Sequence, residues 1–412
     1  MRLSRKNIMN TIKVCNIIDK ITTVAFYLLA ASVVFSTALT EIATISIVLL
    51  WSIKKVLTKD YSLPGGALSY ILLAFVIWNL LSFFNTSYLY ESFRGFLKVF
   101  KYMLLFMASI DYFDSRSKIK RYLLYLIGIS FIVSLDGIVQ YLLGVDIIRH
   151  RVIDPLDHLY RVSASFVHSN DFGAYLVVVL TLFLSLFFSS TRKFKGRILL
   201  LLVIPPVLWC LLKTQSRGAW LSFIVSLLCL FSIKSKKIFI IILILLIASP
   251  FIMPKNIRQR FSDFSTITTQ GTAWERTKLW QGAVQMVKEH PILGFGVNTY
   301  TKNFAEYKPK DYTDVKYTHN SYLHMATEIG AVGLGIFIVF LFSLIIGSVS
   351  VIKKLQRGIY RDLYLGLLAG VVGFLCHCFV DTHLYSVTLA TFLFLCLGLL
   401  AAFRRIVYEK AV

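Results

Sequence analysis

YLHMATEIGAVGLGIFIVFLFSLIIGSVSVI, residues 322–352, decides the fold class of this chain. Its one carboxylate, Glu328, and its one histidine, His324, both lie near the start. The remainder of the stretch is apolar for longer than the roughly 20 residues a helix needs to cross a bilayer. Working outward, similar blocks occur near 21–38, 40–53, 67–84, 96–111, 122–143, 172–190, 198–212, 219–233 and 238–253 on one side, and near 362–380 and 384–403 on the other. The pattern predicts an all-α polytopic membrane protein with about twelve transmembrane helices, or eleven if 21–53 folds differently. Composition agrees, with 57% hydrophobic and only 16% charged residues, where a soluble domain carries about 25% charged. An ordinary globular enzyme and a disordered chain are both excluded. None of the blocks shows the alternating segments of a membrane β-barrel.

The 44 Lys+Arg against 21 Asp+Glu would point to nucleic acid in a soluble protein. Here topology explains the excess, and no nucleic-acid partner is expected. Short segments at 1–20, 54–59, 116–121, 192–197, 234–237, 353–361 and 404–410 each hold three or more positive residues, as cytoplasmic loops do. Both termini are then inside and the segment 254–321 is outside. Its ten Lys/Arg do not offend the rule, because long loops cross largely regardless of charge. The first block follows Arg2, Arg5 and Lys6 without a small-residue cleavage site, so it reads as a retained helix. The chain divides into spans one to nine (1–253), a large outside loop (254–321), and spans ten to twelve with a tail (322–412). All six cysteines fall in spans or in the inner N-terminal segment, so no disulfide framework is expected. Cys376 and Cys378 read as core residues.

Chemistry is sought in the polar residues outside the spans. Within the large loop, Thr272–Glu289 has Trp274, Lys278, Leu279, Trp280, Ala283, Met286 and Val287 near helical spacing. On its apolar face alone, this predicts a helix lying on the membrane surface. Pro291 ends it, and Gly294 and Gly296 supply a turn. His319-Asn320-Ser321 opens the tenth helix, whose free N–H groups would suit an anion. Arg217, in Thr214-Gln215-Ser216-Arg217-Gly218-Ala219-Trp220, sits in a loop too short to leave the outer face. If the large loop folds back, Arg217, Arg276 and His319 meet. Two forked guanidinium groups suit a diphosphate, and a histidine takes a proton near neutral pH.

Other polar residues have structural readings. His324 with Glu328, and His377 with Asp381, have the i,i+4 spacing of pairs within a helix. Asp154/Asp157 and Asp311/Asp314 read as turn caps, so no metal site is evident. Glu41 is the one charge of the first outside turn, read chiefly as structural, with catalysis as the minor alternative.

Three segments resemble the shared motifs of the O-antigen ligase and polymerase family of bacterial envelope membrane proteins. They are Thr214–Trp220; Trp274-Glu275-Arg276 through Trp280 with His290-Pro291-Ile292-Leu293-Gly294-Phe295-Gly296 and Tyr300; and His319-Asn320-Ser321-Tyr322-Leu323 with Glu328–Gly333. Arg161 followed by Phe166–Asn170 is a weaker match, and the likeness covers about 160–385. The resemblance implies a C-type glycosyltransferase architecture in the bacterial inner membrane, with the site facing the periplasm. It implies an undecaprenyl-diphosphate-linked glycan donor, a lipid A-core acceptor and no cofactor. Matching positions make Arg217 and Arg276 diphosphate binders and His319 the residue at the acceptor hydroxyl, with Arg161, Asn320 and Asp381 as further binding candidates. A polymerase using the same donor is the alternative within the family, and a transporter or lipid flippase is the alternative from another class.

Overall fold

Every one of these apolar blocks folds as a helix in the computed structural model, which describes residues 5–156, 159–189, 191, 194–252, 272–308 and 317–409. In chain order the helices are α1 Arg5–Phe35, α2 Thr37–Thr58, α3 Ala67–Leu81, α4 Leu89–Tyr112, α5 Arg116–Leu143, α6 Ser169–Phe187 and α7 Phe194–Lys213. They continue with α8 Arg217–Lys234, α9 Lys236–Ile252, α10 Thr272–Glu289, the single turn α11 Tyr300–Asn303, α12 Ser321–Lys354, α13 Ile359–His377 and α14 Val387–Glu409. Among the described residues, ten helices are long and apolar enough to cross a membrane. Two apolar blocks fall outside that set: α4 carries Glu91, Arg94, Lys98 and Lys101, and α9 has 17 residues. The chain is therefore an all-α polytopic membrane protein. Among the described residues its one sheet is a ribbon pairing β1 Asp154–Leu156 with β2 Leu159–Arg161. Asp157, Asp311 and Asp314 lie outside the described residues.

Helices surrounded by lipid gain nothing hydrophobic by meeting, so close backbone contact decides which of them pair. α13 turns Gly366 and Gly370 to α6, and Gly373, one turn on, meets Ser222 and Ser226 of α8 as well as Val177 of α6. A methyl group at 366 would lie 2.9 Å from the Leu182 Cα, and one at 370 would lie 2.8 Å from the Val178 Cα. The two helices run antiparallel, with Ser185 Oγ donating to the Asp362 carbonyl near one end. At the other end the first turn of α6, with Asn170, meets the turn after α13, with Asp381.

Several charges within the bundle are paired, as the low dielectric favours. Lys101 Nζ is 2.5 Å from Glu41 Oε2, and Lys234 pairs with Asp362. Glu41 thus ties α2 to α4.

The tenth apolar block is one long helix with a break. Gly330 sits at φ 71°, ψ 175°, out of helical conformation, and the loop after α10 fills the gap. Phe295 N donates to the Thr327 carbonyl (3.0 Å), and Gly296 N donates to the Glu328 carbonyl (2.8 Å). Trp78 Nε1 donates to the Ile329 carbonyl (2.9 Å), and Ala331 N donates to the Pro291 carbonyl (2.7 Å). An unpaired backbone group in a membrane interior costs several kcal/mol, so the break and the loop exist only together.

This pairing predicts a contrast between two glycines. A methyl group at 330 would lie 1.9 Å from the Ile292 carbonyl oxygen, whereas one at 335 meets nothing within 4 Å. Gly330→Ala should lower the thermal midpoint in detergent, with about 1–3 kcal/mol from the backbone conformation alone and more from the clash. Gly335→Ala, inside a helix, should be neutral or stabilising by up to ~1 kcal/mol. Equal effects of the two would contradict the described break.

Candidate functional site

Asp381 is the junction of the site. It follows α13, and burial opposes its charge. The hydrogen bond from His319, with the positive character of His383, His319 and His377 around it, outweighs burial and holds the carboxyl well below the usual carboxylate range. An ionised carboxylate only accepts hydrogen bonds. Its Oδ2 accepts from Asn170 Nδ2 at 2.6 Å, and its Oδ1 accepts from Thr382 N at 2.9 Å. The His319 ring nitrogen Nδ1 lies 3.2 Å from Oδ1. Because Asp381 is ionised, Nδ1 carries the proton they share, and in the neutral form of the ring Nε2 is the nitrogen with the lone pair. His319 adopts φ 50°, a conformation rare for residues other than glycine and enriched at functional positions.

The chain of contacts continues away from His319. Asn170 Oδ1 accepts from Arg161 Nη2 at 2.7 Å, and Arg161 Nε donates to the Thr214 carbonyl at 3.1 Å. Arg161 therefore couples the 144–171 segment to the start of α8, where Ser216 caps the helix and Arg217 is its first residue. Next to it Gly218 packs against His377: a methyl group there would be 2.6 Å from the ring nitrogen Nε2. Arg276, on α10, is the other arm. Burial lowers its pKa most, Asp381 opposes that shift, and the like charge of Arg217 adds to it. Arg276 is thus within electrostatic reach of both Asp381 and Arg217.

A cavity of about 360 Å³ opens beside this chain, lined among others by Arg161, His168, Asn170, His319, Asp381 and Tyr385. Arg217 and Arg276 are not in its wall, and they stand on the Asp381–His377 flank.

Three expectations change and one holds. The apolar face of α10 rests on protein, with Leu279, Ala283 and Met286 buried together with Tyr300 and Phe304, and Trp280 Nε1 donates to the Thr318 carbonyl (2.8 Å). That packing replaces a membrane-surface location, because the residues after α10 fold back beneath it. The start of α12 is not open to an anion. Asn320 Oδ1 accepts from Tyr322 N and Leu323 N, and Ser321 N donates to the carbonyls of Cys378 and Asp381. Asn320 is accordingly a helix cap. His377 and Asp381 do not form a helical pair, because α13 ends at His377 and Asp381 turns to His319 and Asn170. His324 and Glu328 do pair, at 3.3 Å.

Among the described residues, His377, Asp381 and His383 are the one group whose ligand atoms lie close enough (within 4.8 Å) to hold a metal ion. Their electrons are mostly spoken for. Asp381 uses both oxygens, and His383 Nδ1 lies 3.1 Å from Asp171 Oδ1. Arg276 also acts on His377 and Asp381, and a dication beside it would be repelled. His377 Nδ1 and His383 Nε2 are buried without a hydrogen-bond partner among the described residues, which makes this trio the place to test. Asn170, Asp171 and His383 do not stand out in the sequence as site residues, since their partners lie more than 200 positions away.

The class this arrangement defines is a polytopic membrane protein with half-buried arginines and buried histidine and carboxylate groups gathered at one end of its bundle. Comparison of sequences goes further: residues 206–338, about a third of the chain, match the family described as O-Antigen ligase. The matched stretch includes Arg217, Arg276 and His319, and stops short of Arg161, Asn170 and Asp381. No curated protein matches. Five solved chains do. One, described as "Structural coordination of polymerization and crosslinking by a peptidoglycan synthase complex", is 16% identical, with a TM-score of 0.48 over 83% of this chain and 98% of that one.

The Asp381 carboxylate supplies a pH test. Its folded pKa lies below the unfolded value of about 3.9, so the unfolded state binds the proton first as pH falls. The stability it contributes is complete above about pH 5 and is lost as pH drops through the folded value. Asp381→Asn should lower the thermal midpoint at pH 7, and the gap to the parent protein should close toward pH 3. A gap that widened at acid pH would show that Asp381 is not held ionised.

Proposed function

We propose that this protein is a ligase that transfers a glycan from an undecaprenyl-diphosphate carrier to a sugar hydroxyl of lipid A-core. In this reading it works on the periplasmic face of the bacterial inner membrane, with both termini cytoplasmic. The observation that carries the reading is the convergence on Asp381 of His319, through a hydrogen bond, and of Arg276, through charge, with Arg217 close enough to act on Arg276.

The chemistry rests on the charges. The acceptor hydroxyl gives its proton to His319 Nε2 while its oxygen attacks the anomeric carbon. The bond from that carbon to the diphosphate oxygen breaks, and the electron pair leaves with the diphosphate. Attack from the opposite face inverts the anomeric centre. Arg217 and Arg276 hold the negative charge that grows on the leaving group, and Asp381 steadies the imidazolium. Fixed charges of this kind do the work a metal ion does elsewhere.

A polymerase, which joins two lipid-linked glycans, uses the same donor. Arg161 favours it to a degree, since a second outside segment then contributes an arginine contact to the site. The product decides between them: purified protein given undecaprenyl-diphosphate glycan and core lipid should make glycan-bearing core lipid. Carrier-linked glycan of doubled length would identify the polymerase, and transport without either product would identify a transporter.

Arg217→Ala, Arg276→Ala and His319→Ala should each reduce transfer by about 10²–10³-fold or more, with membrane insertion unchanged. Wild-type transfer by Arg276→Ala would remove the donor-binding assignment. Chelator should leave transfer intact, whereas loss reversed by one divalent ion would assign the His377–Asp381–His383 trio to that ion.

A further inference from the structure

A second cavity, of about 130 Å³, lies beside the first and shares Tyr317 and Tyr385 with it. It is bounded by α3, α4, the loop at Val297–Thr301, and the first half of α12. Nothing in the donor chemistry above uses it.

Its walls combine ring faces with unspent polar groups. The His324 ring lies 4.2 Å from Tyr300, 3.9 Å from Tyr385 and 5.6 Å from Tyr317, centre to centre. Tyr300 Oη and His324 Nδ1 are buried without hydrogen-bond partners among the described residues. Glu328 is already engaged by His324 and by Tyr300 N. Lys98 is not: its half-buried ammonium has no carboxylate within ion-pair distance among the described residues, and reaches only Asn298 Oδ1, at 3.4 Å. A cation removed from water without a counter-ion in contact is costly; Glu328 in the same wall and Glu41 act on Lys98 only from beyond ion-pair distance, so what the cavity lacks is an anionic group in direct contact with Lys98. Ring faces with convergent hydrogen-bonding groups suit a ligand with an apolar face and a hydroxylated rim, which describes a sugar ring.

We propose that this cavity is a saccharide subsite for the acceptor, and that Lys98 recognises an anionic substituent, a carboxylate or a phosphate, on that sugar. The acceptor assignment rests on the transfer reading above, while binding of an anionic sugar does not. The shared wall of Tyr317 and Tyr385 lets one saccharide reach from Lys98 toward His319.

Calorimetry on the full-length protein in detergent tests this with glucuronic acid, glucose 6-phosphate and glucose, alongside undecaprenyl diphosphate. At least one anionic sugar should bind ten-fold or more tightly than glucose, and which of the two does so identifies the substituent. Lys98→Met should abolish that preference and Lys98→Arg should keep it. Undecaprenyl diphosphate should bind Lys98→Met as it binds the parent protein, lose affinity in Arg276→Ala, and be indifferent to the sugar. Equal binding of all three sugars, an unchanged preference in Lys98→Met, or competition between sugar and carrier would each overturn the proposal. Failure of the carrier to bind, with a Lys98-dependent sugar preference intact, would remove the donor reading and leave an anionic-sugar site.

Discussion

The hydrogen bonds that bridge the break in α12 are the constraint on which the site depends. A helix in a membrane satisfies its own backbone, so any interruption must find partners in protein. Here they come from residues 291–296 and Trp78. The exchange joins three distant parts of the chain: the loop after α10, the first half of α12 and the end of α3. With Ile292 and Gly330 in backbone contact, α10 cannot drift from the start of α12, and Arg276 is held over the same end of the bundle as His319 and Asp381. A second junction, the glycine face of α13 against α6, sets the other half of the site by bringing Asn170 to Asp381.

Between these two junctions the site is built as a strap of alternating charge and amide. Arg161, Asn170, Asp381 and His319 form a continuous series of hydrogen bonds, with Arg161 and Asn170 before the 206–338 family match, His319 within it and Asp381 after it. Keeping Asp381 ionised while buried demands nearby positive character, which the histidines and Arg276 supply. That arrangement favours binding of anions and disfavours a resident dication, so the same charges that would grip a diphosphate also argue for chemistry without a metal.

How legible the site was depended on sequence distance. Arg217, Arg276 and His319 were readable because each stands in a short polar motif between apolar blocks. Asp381 was readable as a binding candidate through the family resemblance and, from its spacing, as a partner of His377 four residues away, and that pairing failed because α13 ends at His377. The anion site expected at the start of α12 failed for a related reason: Asn320, Cys378 and Asp381 take up its N–H groups. A donor's orphan status can be read from sequence, but its tertiary partner cannot.

The amino-acid sequence by itself determined the membrane class, the helical blocks and the residues rich enough in charge to matter. Those properties come from transfer free energies and from local periodicity, which need no knowledge of neighbours. Only the tertiary structure decided that α10 lies on protein, that Gly330 is a break completed by a loop, and that Asn170 and Asp381, 211 positions apart, share a hydrogen bond. Those are outcomes of close approach between backbones. They depend on which surfaces happen to fit, a property no single segment carries.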